Sequence, residues 1–573
     1  MAFMVSPGVN VSEIDLTTTV GKGISTSIGA FAGNFQWGPA NERVLISNEV
    51  ELVDTFGKPT ADTYLDFFSA ANFLAYANAC WVVRIADSNS SINLNATSGS
   101  TGLRVNNDSH YEVVTKPTSC GDWVARFPGA KGNSLAVAIC DSGITSEEFA
   151  GNIAITANTA GTWSDYFDSM PNTSVHAENK GGSNDEVHIV VIDEDGEFSG
   201  VKGTVIEKFA HVSKAPGAKA EDGSNNYFVD VINSTSRYIR IGGTLALDGN
   251  VSGNISDTWD QVGYEVSSLS NGTSLDTTAI TDEYFNGYDM FANSQEVDIA
   301  LIISGAASLT LAQHLIDMAT NRKDCVAFVS PRWSDVQPGQ TGSTVATKVV
   351  DFRNLLNRSS SYFVLDSGWK YQYDKYNDVY RWVPINADIA GLCARTDNAR
   401  DPWWSPAGFT RGNIQNVVKL AWNPNQAQRD EIYKAGINPV VSFPGEGTIL
   451  YGDKTGLTKP SAFDRINVRR LFIILEKTIA TAAKYSLFEF NDEFTRSQFK
   501  TMVEPFLRGV MGRRGIYDFA VVCDETNNTP QVIDNNEFVG DIYIKPAKSI
   551  NFIQLNFVAV RTGVEFSEII GKF

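Results

Sequence analysis

The chain has 573 residues, 43% hydrophobic and 20% charged, with a formal net charge of −20. That length is too great for one hydrophobic core and predicts three or four domains of ordinary soluble composition. The charge excludes a general nucleic-acid binder, which needs cations to release counterions from phosphates, and suits solubility at high concentration or a partner with a basic face.

In chain order, the opening MAFMVSPGVNVSEID has no basic segment followed by an apolar one, so no signal peptide is expected. Residues 1–20 are polar, rich in Thr and Val, and read as an extended arm. From Gly29 to Asp87 the sequence becomes globular, with a helical pattern from Tyr64 to Tyr76 and the buried-strand run CWVVRI at 80–85. Residues 88–110 are rich in Ser, Asn and Gly and predict a long loop or linker. A β-rich region follows to about 280, where EVHIVVIDEDGEFSGVKGTVIEKF reads as a hairpin around DEDG. Asp193, Asp195 and Glu197 also suggest a calcium loop, but the glycine and glutamate that an EF-hand requires are absent, which favours a turn.

After residue 287 the pattern turns α/β. VDIALIISG (297–305) reads as a buried strand, SLTLAQHLIDMATNR as a helix and DCVAFVSP (324–331) as a second strand, together predicting a parallel βαβ unit. The single glycine after the first strand gives no dinucleotide fingerprint. GTILYGDKT (447–455) misses a phosphate-binding P-loop by one residue: Gly447, Gly452, Lys454 and Thr455 are in place, but Asp453 intervenes. The bulky TILY cannot wrap a phosphate, Asp453 would repel one, and Gly456 to Pro460 break the helix that should follow, so the stretch is expected to be a strand and a turn.

Further on, SAFD (461–464) predicts a capping box opening a helix, with Val468, Leu471, Phe472, Leu475, Ile479, Ala482 and Ala483 on one stripe. TRSQ (495–498) predicts the start of a second helix carrying Phe499, Met502, Val503, Phe506 and Val510, bent at Pro505. YDFAVVCD, EFVGDIYIKP and SINFIQLNFVAV read as strands with NNTP as a turn, and RTGVEFSEIIGKF as a trailing arm.

Six cysteines without a CxxC suit buried free thiols. Five scattered histidines, with no HExxH, give no zinc or histidine-based site. No GxSxG occurs, and no run of about 18 apolar residues crosses a membrane; LFIIL (471–475) reads as core. No enzyme, metal or cofactor is expected.

Several long stretches resemble the contractile tail sheath proteins of myophages, especially the T-even-like branch. They are SPGVNVSEID, FQWGPANERVLISNEVELVDTFGKP and VARFPGAKGNSLAVAI at the front, and YQYDKYNDVYRWVPINADIAGLCARTDN and SPAGFTRG in the middle. In the C-terminal part they are ILYGDKT, FDRINVRRLF, FEFND, TRSQF, CDETNNTP and PAKSINFIQLNFV. The resemblance is weak only near 88–118, where larger relatives carry an extra domain. It implies an α/β and α+β multidomain fold. The inner α/β domain would join the N-terminal arm (1–20) to residues 425–560, with a middle α/β domain over 21–87 plus 287–424. A β-rich outer domain would be inserted at 88–286, and a C-terminal arm would span 561–573.

The same resemblance implies a structural subunit of the virion, assembled in the host cytoplasm into hexameric rings stacked helically around a tail tube. Its further partners would be the baseplate and the tail terminator or neck proteins, with no nucleic acid and no membrane insertion. Contraction would drive the tube through the host envelope. Alternatives are the sheath of a bacterial contractile injection system, or a receptor- or glycan-binding tail protein. Extended arms suit strand addition to a neighbour's sheet edge, with Val9, Val11, Ile14, Val564, Phe566 and Ile569 as candidate anchors. Residues 461–515 hold ten Lys/Arg against six Asp/Glu, a net of +4, and Arg469, Arg470, Lys500, Arg508, Arg513 and Arg514 are candidates to face an acidic tube. A solvated helix face with internal ion pairs is the competing reading of those residues.

Overall fold

The computed structural model describes residues 26–87, 93–154, 159–220, 222–243, 256–275 and 281–551. Its centre is a seven-stranded sheet in the order Ile437–Asn438, Phe363–Asp366, Val326–Val329, Leu301–Ile303, Gly29–Gly33, Cys80–Arg84, Arg43–Ile46. All neighbours run parallel except the last pair. The helices Tyr64–Leu74 and Asn386–Ala399 pack together on one face, and Thr281–Asp289, Leu309–Arg322 and Gly342–Leu356 on the other. Cover on both faces explains why the central strands Gly29–Gly33, Leu301–Ile303 and Val326–Val329 are continuously apolar instead of alternating. The expected βαβ unit is present: Leu301–Ile303 pairs in parallel with Val326–Val329 across the Leu309–Arg322 helix. Ser308 starts that helix by accepting from the Leu311 N–H at 3.2 Å, and Lys323 ends it in a left-handed conformation.

Between the strands Cys80–Arg84 and Leu301–Ile303 the chain makes an excursion into a second body. This body is a four-stranded antiparallel sheet ordered Tyr264–Ser268, Leu135–Asp141, Glu186–Asp193, Thr204–Ser213. Leu135, Val137 and Ile139 enter one core with Trp123, Phe228 and Ile232, while Ala136, Ala138 and Cys140 enter another with Trp163 and Phe167. The period of two thus feeds two separate cores. Residues 93–110, expected to be linker, pack into this body: Asn95 bridges Leu103, and Thr97 bridges both Val124 and Ser270. Buried Arg84 seats it on the central sheet by donating to the carbonyls of Phe35, Gly38 and Pro128 at 2.6–2.9 Å.

The expected hairpin is there, but its connection is the ten-residue stretch 194–203. Asp193 organises it, accepting from the N–H groups of Gly196, Phe198 and Ser199 and the hydroxyls of Ser134 and Ser199 at 2.6–3.1 Å. Donors surround that carboxylate, so the segment is a turn built on an acid.

The third body contains the helices Ile466–Ala483 and Glu493–Gly512 and the hairpin Ile516–Val522/Asp541–Pro546. Leu471, Leu475, Phe499, Val503, Leu507 and Val510 form its core. The first helix begins at Ile466 and not at the predicted box, because Ser461 caps a separate 3₁₀ turn, Ala462–Asp464. The second starts two residues early, with Asp492 accepting from the Thr495 N–H at 2.8 Å, and continues through Pro505. Residues 425–456, expected with this body, belong elsewhere: Ile432, Ile437, Val440 and Leu450 pack in the core of the central sheet.

In the inserted body, His188 is fully buried and lies flat on Phe167, ring centroids 4.1 Å apart. Its Nδ1 accepts from the His211 N–H at 3.0 Å and its Nε2 meets the Ser169 carbonyl at 2.9 Å, which fixes the neutral Nε2–H tautomer. Burial holds its pKa down at about 4, below the ordinary 6.5. The unfolded chain binds a proton that the folded one refuses, so stability is complete above pH 6.5 and falls as the pH drops from 6.5 to 4. We expect acid titration followed by fluorescence to show a loss of roughly 2–3 kcal/mol across that window, absent in His188→Gln.

Candidate functional site

The parallel strands follow a doubly wound order whose switch point falls between Gly29–Gly33 and Leu301–Ile303, the place where such sheets hold ligands. Here protein fills it. Asp66 accepts from the Asn34 N–H at 2.8 Å and the Tyr284 hydroxyl at 2.5 Å, and burial raises its pKa to about 6. A Cβ on Gly33 would stand 2.6 Å from the Phe31 ring and 2.8 Å from Asp66 Cβ. Next to it, the Asn386 amide clasps both main-chain groups of Gly305, at 2.8 and 3.2 Å, and donates to Ser330 Oγ at 3.0 Å. Ser330 donates to Asp366 at 2.6 Å, whose pKa burial pushes up to about 8. These perturbed carboxyls are buried and hydrogen-bonded to neighbouring protein groups among the described residues.

The P-loop look-alike resolves into an antiparallel strand, Gly447–Leu450, paired with Val440–Phe443, followed by a buried knot. Asp453, 3% exposed, accepts from Ser405 Oγ at 3.1 Å, Ser549 Oγ at 2.6 Å and the Arg465 guanidinium at 3.1 Å. Lys454 reaches back to the Tyr433 carbonyl at 2.7 Å, and Thr455 Oγ1 to that of Phe463 at 2.8 Å. The residue that spoils the nucleotide motif therefore joins three distant segments, near 405, 465 and 549.

The candidate basic residues divide sharply. Arg470 is 4% exposed and grips Asp397 with both terminal nitrogens, at 2.5 and 2.7 Å, and donates to the Thr26 carbonyl at 3.1 Å. Arg469, also 4% exposed, lies over Tyr362 and Phe463 and pairs with Glu476 at 3.3 Å. Neither can present its charge to a partner in this conformation. The single-stripe reading misses this, because the helix is buried on two sides: Ile466 and Ile473 enter the central core, Leu471 and Leu475 the C-terminal one. Lys500, Arg508, Arg513 and Arg514 are exposed. Lys500 and Arg508 share Glu504 at 3.9 and 3.0 Å, while Arg513 pairs with Asp401 at 2.6 Å and lies over Trp403.

Two further features mark an incomplete surface. The hairpin Ile516–Val522/Asp541–Pro546 is a two-stranded sheet among the described residues, with an outer edge on each strand. The turn between the long helices exposes Tyr485, Leu487, Phe488 and Phe490, and the start of the second helix exposes Phe494, each at least 62% accessible, an apolar density that marks contact surfaces. The arm residues Val9, Val11, Ile14, Val564, Phe566 and Ile569 lie outside the described residues.

Three sheath-family models match: the phage tail sheath protein central domain over 279–456, the phage tail sheath C-terminal domain over 458–559, and the tail sheath protein Gp18 domain III N-terminal region over 26–85. The tail sheath protein of Enterobacteria phage T4 is 36% identical over 660 aligned positions, covering 99% of each chain. The chain belongs to the phage tail sheath protein family. The tail sheath protein of Vibrio phage KVP40 is likewise 36% identical, over 99% of this chain and all of its own. Among solved structures, the sheath tail proteins of Desulfitobacterium hafniense and Listeria innocua superpose with TM-scores of 0.52 and 0.53. The alignments cover 95% and 92% of this chain and 100% and 96% of theirs, at 12% and 11% identity, a likeness of fold. The central-domain match ends at 456, just beyond Leu450, while Ile466 and Ile473 of the following helix still pack into the central core.

The buried and exposed arginines should separate in stability measurements. Arg470→Met strands Asp397 in the interior and is expected to cost about 3–5 kcal/mol in urea unfolding, whereas Arg508→Ala should change stability by no more than about 0.5 kcal/mol. Asp453→Ala, which leaves Arg465 without its buried carboxylate, should fall near the larger figure, about 3 kcal/mol.

Proposed function

We propose that the chain is the structural subunit of a contractile tail sheath, stacked as hexameric rings around a tail tube and contracting to drive the tube through the host envelope. The observation that carries this reading is 36% identity to the phage T4 tail sheath protein along 99% of each chain. Membership of the sheath family supports a structural and non-enzymatic role. The subunit would be assembled in the host cytoplasm and end in the virion, with baseplate and neck proteins bounding the sheath. Residues 458–551 would form the inner, tube-facing unit and the inserted body would face outward.

The hairpin edges that are unpaired among the described residues would give the arms a place to bind. An added strand pairs through main-chain hydrogen bonds, which tolerate rotation between subunits, so rings can shift while staying joined. Val9, Val11 and Ile14 at one end, and Val564, Phe566 and Ile569 at the other, anchor those strands in neighbouring copies. Lys500, Arg508, Arg513 and Arg514 provide reversible, salt-weakened adhesion to an acidic tube. The extended lattice is a kinetically held state loaded at assembly, so contraction needs no nucleotide; a gain of about 1–2 kcal/mol per subunit suffices because many copies act together.

Electron microscopy of the full chain and of versions lacking residues 1–20 or 562–573 tests the arms. Tubular polymers should form from the full chain and vanish in both truncations; polymers that survive both deletions would refute the role of the arms. Reversing charge at Lys500 and Arg508 should release tubes from assembled sheath at lower salt than wild type, measured by co-sedimentation.

A further inference from the structure

One face carries positive charge on an aromatic floor that sequence reading did not single out. The segment 408–412 lies along the Gly447–Leu450 strand, with the Gly408 N–H on the Leu450 carbonyl at 2.9 Å and the Leu450 N–H on the Gly412 carbonyl at 2.8 Å. Arg400 and Arg411 both lie over the Trp404 ring, 5.9 and 5.3 Å from its centroid. Beside them the rings of Phe409, Phe443 and Tyr451 meet at 5.4–6.1 Å. Phe409 is 52% and Tyr451 46% exposed, so this cluster is a surface and not a core.

The charge is uncompensated. Among the described residues no ion pair involves Arg400 or Arg411, and Arg411 Nε is spent on the Ser405 carbonyl at 2.8 Å. The neighbouring carboxylates are committed: Asp397 to Arg470, Asp401 to Arg513 and Asp453 to Arg465. Burial first, and then the charge of Arg400, makes Arg411 easier to deprotonate, the sign of like charges held together. Folding gains nothing from that proximity, while Trp, Tyr and Arg are the side chains in which binding energy concentrates.

We propose that this face docks on a carboxylate-bearing surface of a second copy of the chain, an inference that rests on the lattice reading above. The chain has 66 Asp/Glu against 46 Lys/Arg, and residues 88–286 alone hold 26 against 11, a net of −15 within the total of −20. A second copy is thus an abundant source of the opposing charge. Each carboxylate that meets Arg400 or Arg411 removes repulsion between the two guanidiniums as well as gaining attraction, so the cluster favours the assembled state.

The test uses full-length protein with Arg400→Glu and Arg411→Glu combined, and the milder Arg400→Gln alone, each checked for wild-type thermal unfolding. Sedimentation should show polymer onset on the order of ten-fold higher in concentration for the double variant, with a smaller shift for Arg400→Gln. Added salt should weaken wild-type polymers more than those of the double variant. Polymerisation of the double variant at wild-type concentration overturns the inference, and if that protein also fails to retain tail tubes, the face belongs to the tube. Wild-type protein that polymerises under no condition overturns the lattice reading itself, and this inference with it.

Discussion

The buried fork between Arg470 and Asp397 determines how the C-terminal helices sit on the central sheet. Both groups leave water, which costs several kcal/mol each, so the contact is favourable only in the one geometry where both guanidinium nitrogens meet both carboxylate oxygens. The fork thereby specifies alignment more than it adds stability. Other contacts radiate from it along the same helix: Arg469 between two aromatic rings, Lys477 on Asp298, and Arg465 on Asp453. The joint between the C-terminal body and the central sheet is thus stiff in orientation and spread over several turns of one helix.

Around that joint the charge is segregated. The inserted body holds most of the excess acid, while the C-terminal helices and the 400–411 loop carry exposed arginine. Polarity on this scale costs little in an isolated subunit, because water screens it within about 10 Å at ordinary salt. In an ordered array the same polarity becomes directional, since each copy meets the next in a fixed orientation and unlike surfaces can be set against each other at every repeat.

Much of the fold was legible because it is local. The βαβ unit at 297–331 shows in its continuous apolar strands and the intervening amphipathic helix, and the P-loop look-alike was rejected on the bulk of TILY and the charge of Asp453. What sequence could not supply was pairing across long separations. Arg470 finds Asp397, and Asp453 finds Ser405 and Ser549, across gaps that no periodicity encodes, so buried arginines were counted as surface charge. The same blindness placed 425–456 with the C-terminal body, when two residues of strand, Ile437–Asn438, tie it to the sheet. The Arg400–Arg411 cluster escaped for a related reason: its members are separated along the chain and meet only over one tryptophan ring.

The inserted body leaves the central sheet after Arg84, and the chain returns in the Thr281–Asp289 helix, where Ile85 packs against Gly287. Departure and return are therefore neighbours in space. A segment tethered at two adjoining points imposes almost the same closure entropy on its host whatever its length, since that cost grows only with the logarithm of the loop. The scaffold is accordingly indifferent to what it carries there. The inserted body can be enlarged, trimmed or exchanged over evolutionary time while the joint around Arg470 stays fixed, which separates the part of the molecule that is free to change from the part that must keep its dimensions.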